Sequence, residues 1–89
     1  MVLVKRLVLD VLKPHQPNAL EFSQAIASAD GDCRVRVTVL EVDEHTETLK
    51  VVVEGEAIDF EAIQAGIGAL GGSLHSIDEV EVQGNDDDG

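Results

Sequence analysis

The stretch Cys33–Gly55, CRVRVTVLEVDEHTETLKVVVEG, decides the fold. Its first ten residues alternate. Val35, Val37 and Val39 fall on one face, and Arg34, Arg36, Thr38, Leu40 and Val42 on the other, the period-two pattern of a half-buried strand. The polar run Asp43-Glu44-His45-Thr46 reads as a short turn. Thr48–Gly55 then returns with Leu49, Val51 and Val53 inward. Two alternating strands this close in sequence predict an antiparallel hairpin.

Each side of the hairpin carries a helix and a further strand. Upstream, Leu3–Leu12 alternates, with Leu7, Leu9 and Val11 on one face and Arg6, Val8, Asp10 and Leu12 on the other. Pro14 and Pro17 end that strand, because proline supplies no ladder donor, and Pro17 suits the first turn of a helix. Ala19, Phe22, Ile26 and Ala29 then recur at helical spacing until Asp30-Gly31 stops the run. Downstream, Asp59 is a good N-cap, Glu61 faces the positive end of the helix dipole, and Ile58 and Ile63 occupy the hydrophobic-staple positions. Phe60, Ile63, Ile67 and Leu70 repeat the spacing of the first helix. Gly66 and Gly68 inside this helix cost about 1 kcal/mol each relative to Ala, which predicts close packing against the sheet or a neighbouring subunit. Gly71-Gly72 ends the helix. Leu74–Val82 is the last strand, where Ile77, Val80 and Val82 share a face only if a bulge falls near Asp78-Glu79.

The order is therefore βαββαβ, two similar halves of about 40 residues. Right-handed crossovers give an α+β, ferredoxin-like sandwich: an antiparallel four-stranded sheet in spatial order 4-1-3-2 with both helices on one face. The domain spans residues 1–83, and residues 84–89 (GNDDDG) form a disordered acidic tail.

Composition narrows the function. The 89 residues hold 6 Lys or Arg against 18 Asp or Glu, for a net charge of −12. Residues 1–40 carry five cations against four carboxylates, while residues 41–89 carry Lys50 alone against 14. Phosphate contacts need Lys and Arg, so nucleic acid is not an expected partner. RNA-binding members of this fold also stack bases on strand aromatics, and both aromatics, Phe22 and Phe60, lie on predicted helices. No apolar run approaches the roughly 20 residues of a membrane span. Met1–Leu12 is broken by Lys5, Arg6 and Asp10 and does not read as a signal peptide. Cys33 is the sole cysteine, which excludes an internal disulfide and a C-x-x-C metal carrier and leaves a small core or edge residue. The first loop offers Lys13 but no arginine cradle for an acyl phosphate. Ser76 and His75 are strand neighbours pointing to opposite faces. No nucleophile–base pair emerges, so an enzyme is not the expected reading.

Several segments resemble a known family. LVLDVLKPH (Leu7–His15), EVDEHTE (Glu41–Glu47), IDF (Ile58–Phe60) and GGSLHSIDEV (Gly71–Val80) look like the archaeal domain-of-unknown-function family two hundred and eleven, over nearly the whole chain except the acidic tail. The resemblance implies a ferredoxin-like fold in an archaeal cytoplasmic protein that self-associates, and it implies no reaction. The acidity and the DDD tail look like a salt-adapted member.

Two readings of function follow. In the first, the chain is a self-assembling structural or regulatory module that needs no cofactor and has itself as partner, in a ring where the contact is heterologous. Two helices cover one face of the sheet. The open face carries Arg6, Val8, Asp10, Leu12, Arg34, Arg36, Thr38, Leu40, Val42, Lys50, Val52 and Glu54, including four of the six cations. The expected interface is Arg6, Val8, Leu12, Arg34, Arg36, Leu40, Lys50 and Val52, on that face or on the edge strand bearing Arg34 and Arg36. Glu54 is expected to face Arg34 or Arg36 across the hairpin. In the second reading a divalent metal sits at one end of the sheet. The topology carries His15, His45 and His75 there, with Asp10 and Asp78 as foremost carboxylate companions and Asp43, Glu44 and Glu47 nearby. Imidazole with carboxylate suits Zn²⁺, Ni²⁺ or Cu²⁺.

The charge excess generates a test. Monovalent salt screens repulsion among carboxylates, since the Debye length falls from about 10 Å at 0.1 M to about 3 Å at 1 M. The melting temperature at pH 7 is expected to rise as KCl goes from tens of millimolar to molar. A melting temperature that stays flat or falls refutes salt adaptation.

Overall fold

The computed structural model describes residues 1–84. It contains β1 (Val2–Pro14), α1 (Ala19–Asp30), β2 (Cys33–Val42), β3 (Thr46–Gly55), α2 (Phe60–Ala69) and β4 (Ser73–Gly84). The sheet is antiparallel in the order β2-β3-β1-β4, the ferredoxin-like arrangement expected. Gly84, assigned above to the tail, is the last residue of β4 and pairs with Val2. The rest of the predicted acidic tail, 85–89, lies outside the described residues.

The core forms where the inward phases of β1 and β3 meet the two helices. Leu7 faces Val53, Leu9 faces Val51 and Val11 faces Leu49. Phe22 and Ile26 of α1 and Ile63 and Ile67 of α2 close over them, and all ten side chains are buried. Ile58, at the staple position before α2, joins this cluster. On the edge strand β2, Val35 and Val37 pack against the core, but Val39 is 41% exposed because no helix covers that corner.

Local chemistry sets the helix ends. Asn18 caps α1, accepting from the Glu21 N–H at 2.8 Å, while the Glu21 carboxylate accepts from the Asn18 N–H at 3.2 Å. This is a reciprocal capping box. Pro17 therefore precedes the cap and does not open the first turn. Gly31, at φ 88°, takes the left-handed conformation that ends α1. Asp59 caps α2 through the Ala62 N–H at 3.2 Å.

The β1–β4 ladder carries the bulge expected near Asp78: Val8 pairs with Glu79 and Leu9 with Ile77, leaving Asp78 extra. Two further shifts fall at Lys5 and His75. The Asp78 bulge puts Ile77 and Val80 opposite Leu9 and Leu7, on the helix side. The β1–β3 ladder begins only at Arg6, whereas the β1–β4 ladder begins at Val2. Val2–Val4 pair with β4 past the end of the β1–β3 ladder, and the segment before α2 flanks the base of this short ribbon, where the Ile58 N–H donates to the Val4 carbonyl at 2.9 Å and Lys5 reaches Glu56. The molecule is correspondingly long, 54 × 22 × 16 Å.

The two helical glycines differ from each other, and neither packs against the sheet. A Cβ at Gly66 would meet the Ala29 Cβ at 3.2 Å, a close approach of α2 to α1. A Cβ at Gly68 would meet nothing within 4 Å, so no packing within the chain requires that glycine. Gly68→Ala is expected to stabilise the fold by about 0.5–1 kcal/mol in urea melts. Gly66→Ala should return less of that gain, and Phe22→Ala should cost about 3–5 kcal/mol.

Candidate functional site

At the sheet end where β1 finishes, the structure brings together Lys13, His15 and Glu47. Lys13 follows Leu7, Leu9 and Val11 on the inward phase of β1, and Glu47 precedes Leu49 on the inward phase of β3, directly opposite. Lys13 is fully buried. Its Nζ lies 2.9 Å from Glu47 Oε1 and donates to the Pro14 carbonyl at 2.9 Å, so the buried ammonium is both paired and hydrogen-bonded. The other Glu47 oxygen is 3.0 Å from His15 Nδ1, and His15 Nε2 is 3.0 Å from the Glu44 carbonyl oxygen. Both ring nitrogens thus face acceptors, which suits the imidazolium. The Glu47 carboxylate first, then the Glu44 carbonyl, hold the His15 pKa above its ordinary value. His15 and then Lys13 hold Glu47 below the usual carboxylate range. The link ties the end of β1 to the β2–β3 turn.

The other histidines stand apart from this cluster. His75 Nδ1 is 3.2 Å from Asp10 Oδ2, five positions upstream of His15 in sequence. His45 is exposed in the turn, and Asp78 accepts from the Ser76 hydroxyl at 2.7 Å. Among the described residues no group of three or more His, Cys, Asp or Glu side chains could hold a metal ion. The topology brings the histidines to one end of the sheet, as expected, but the His75 bulge and the Glu47 contact split them between separate partners. His75 and Ser76 likewise engage different carboxylates and form no nucleophile–base pair. Cys33 is half-buried, its thiol 4.0 Å from the Ala27 carbonyl oxygen and its pKa raised by burial.

The open face of the sheet holds the second cluster. Arg6 reaches Glu54 at 2.6 Å and Glu79 at 2.8 Å, and Arg34 reaches the remaining Glu54 oxygen at 3.0 Å. Glu54 faces Arg34 in register, one of the two pairings expected. Arg34 and Arg6, in that order, depress the Glu54 pKa, and Glu79 and Glu54 raise that of Arg6. A concavity of about 450 Å³ opens here, lined by Arg6, Arg34, Arg36, Lys50 and Glu54 around Thr38 and Val52.

Two valines expected to be available on this face are not. Val8 and Val52 face each other across β1 and β3 and are 5% and 8% exposed. Register sets Glu79 beside Val8 and Arg36 beside Val52, so longer neighbours shield the pair within the chain itself. Exposed apolar side chains lie elsewhere: Leu12, Leu40 and Val42 toward the turn, Ile77 and Val80 on β4, and Val2 and Val82 on the ribbon. No helix among the described residues is long and apolar enough to cross a membrane.

Comparison with known proteins agrees with the resemblance in sequence. The family model of DUF211, described as uncharacterised ArCR, matches residues 5–86. An uncharacterised protein of Methanocaldococcus jannaschii, MJ0319, is 46% identical over 77 residues, covering 86% of this chain and 79% of that protein.

The His15 contacts generate a signed pH test. A histidine whose pKa is raised on folding contributes fully below its unfolded value near 6.5, and that contribution is lost as pH rises through the folded value. Glu47, depressed on folding, contributes fully above about 4.5 and loses that contribution as pH falls through its folded value. The stability difference between wild type and His15→Ala, from urea melts, is therefore expected to be largest between about pH 5 and 6 and to shrink toward pH 9. A difference that grows with pH contradicts the ion pair.

Proposed function

The chain belongs to the archaeal DUF211 family, and we propose that it is a self-associating module, structural or regulatory, whose partner is a second copy of itself in a salt-rich cytoplasm. The observation that carries this reading is the exposed apolar edge formed by β4 with Val2 of β1. A sheet edge presents unpaired backbone groups as well as apolar side chains. This one displays Val2 at 66% exposure and Val82 at 53%, and β4 continues with Val80 at 50% and Ile77 at 47%. Covering such a strip stabilises it at about 25 cal/mol per Å² of apolar surface removed from water. The opposite edge, β2, ends in exposed Leu40 and Val42.

Two unlike edges that each need cover favour a heterologous contact, which closes into a ring where its rotation permits. The edge strands carry this reading better than the centre of the open face, where Val8 and Val52 are already shielded. Of the interface residues expected from sequence, Leu12 and Leu40 lie on exposed surface suited to the contact. The surrounding carboxylates favour assembly at high ionic strength, where their repulsion is screened.

Light scattering at molar KCl is expected to give a mass several times 9.5 kDa. A mass near one chain overturns the proposal. Val80→Asp and Val42→Asp, both at exposed positions, should each lower the mass while leaving the far-ultraviolet spectrum intact. An assembly that survives both charges does not use these edges.

A further inference from the structure

We propose that the concavity on the open face is a binding site for a small dianionic oxyanion of the phosphate or phosphate-ester class. Four of the chain's six cations line it. Elsewhere on this chain a cation is neutralised: Lys5 pairs with Glu56 at 2.7 Å and Lys13 with Glu47 at 2.9 Å. Within the concavity, Arg6 and Arg34 divide the two oxygens of Glu54. Arg36 and Lys50 alone among the six have no ion pair within the described residues, in a chain with three times as many carboxylates as cations. Asp10 stands opposite Lys50 in the β1–β3 register, yet its carboxylate contact is with His75.

The two unpaired cations are placed to act together. Arg36 faces Val52 and Thr38 faces Lys50 across β2 and β3, so Arg36 and Lys50 are diagonal neighbours on one face, about 7–8 Å apart at the backbone. Arg36 offers a planar fork of donors, Lys50 a point charge, and Thr38 a hydroxyl beside them. Three donors of this kind suit the oxygens of a phosphoryl group, and two positive charges suit a dianion over a monocarboxylate. Val52, 8% exposed, gives the site an apolar floor. A volume of about 450 Å³ is that of a small-molecule site.

The chain's overall acidity selects for ligand size. A polyanion that extends past the concavity comes within a Debye length, about 8–10 Å, of the surrounding carboxylates and is repelled, while a compact dianion lies within the local field of the four cations. Nucleic acid is disfavoured for that reason. The concavity shares strand β2 with the edge proposed for self-association but uses Arg36 and Thr38 rather than Leu40 and Val42, so anion titration and light-scattering mass test the two readings separately.

The test is calorimetric titration of the full chain with inorganic phosphate and with inorganic pyrophosphate at pH 7, in about 0.1 M KCl. Saturable binding at one site per chain is expected. Arg36→Gln and Lys50→Gln should each weaken it by about tenfold or more. Both positions are exposed, so thermal melts should show the fold intact. Lys5→Gln, which removes one charge outside the concavity, should leave the affinity unchanged. The proposal is overturned if neither anion binds saturably, or if Lys5→Gln weakens binding as much as the other two. It is also overturned if Arg36→Gln and Lys50→Gln lower the light-scattering mass without any anion binding, for the cations then serve contact between copies.

Discussion

Everything in this molecule depends on how much of the sheet two short helices can cover. A helix advances about 1.5 Å per residue and a strand about 3.3 Å. The 12 residues of α1 therefore span about 18 Å, and the 13 residues of β1 about 43 Å. The helices are spent on the centre, where Phe22, Ile26, Ile63 and Ile67 seal the inward side chains of β1 and β3. Cover gives out at the edges and at the projecting end. Val39, Ile77, Val80 and Val82 all remain 41–53% exposed. The same mismatch that leaves a dense small core leaves apolar surface only a neighbour can bury.

Charge follows the same geometry. Inside the end of the core, the buried Lys13 is tolerable because Glu47 sits opposite it and a backbone carbonyl takes another of its protons. Removing one partner of such a pair strands the other charge, so it acts as a lock on strand register more than as a source of net stability. On the open face there is no helix to bury charge. Arg6, Glu54, Arg34 and Glu79 instead form a chain of ion pairs across all four strands. Screened surface pairs of this kind contribute little to stability. Their consequence is positional, since Glu54 is fully engaged by Arg6 and Arg34 and leaves Arg36 and Lys50 without an ion pair among the described residues.

What sequence could and could not disclose divides along local and non-local lines. Strand alternation, helix spacing and the bulge at Asp78 are properties of contiguous residues, so the βαββαβ order and the ferredoxin-like sheet were legible. The capping box was also local, written as Asn18-x-x-Glu21 directly after Pro17. Lys13 and Glu47 were legible in principle too: both lie on the inward phase of their strands, where a charge implies a buried partner. The histidines show the opposite case. Topology brings all three to one end of the sheet, but whether they meet depends on the bulge that sets His75 against Asp10 and on the reach of Glu47 to His15. Neither is encoded in spacing. Burial of Val8 and Val52 was equally out of reach, because period-two patterning says which face a residue takes and nothing about whether its neighbours' stems fold over it.

The exposed part of the sheet is therefore better understood as two surfaces than as one. Toward its centre, long charged side chains shield a valine pair and frame a polar concavity, the composition of a site that admits small ions. Toward the ends of the sheet, apolar side chains stand without such shielding, on an edge strand and a ribbon whose unpaired backbone groups invite further pairing. A lone acidic chain would be expected to blunt those edges with charge at each exposed position. Charge occupies the open side of both edges, as Arg34 and Arg36 on β2 and Glu79 and Glu81 on β4, whereas Val42, Val80 and Val82 stand on the helix side beyond the helices' cover. Under the two proposals, ligand chemistry sits at the centre of the open face and assembly chemistry at the uncovered edges, so the two can be varied independently on one small sheet.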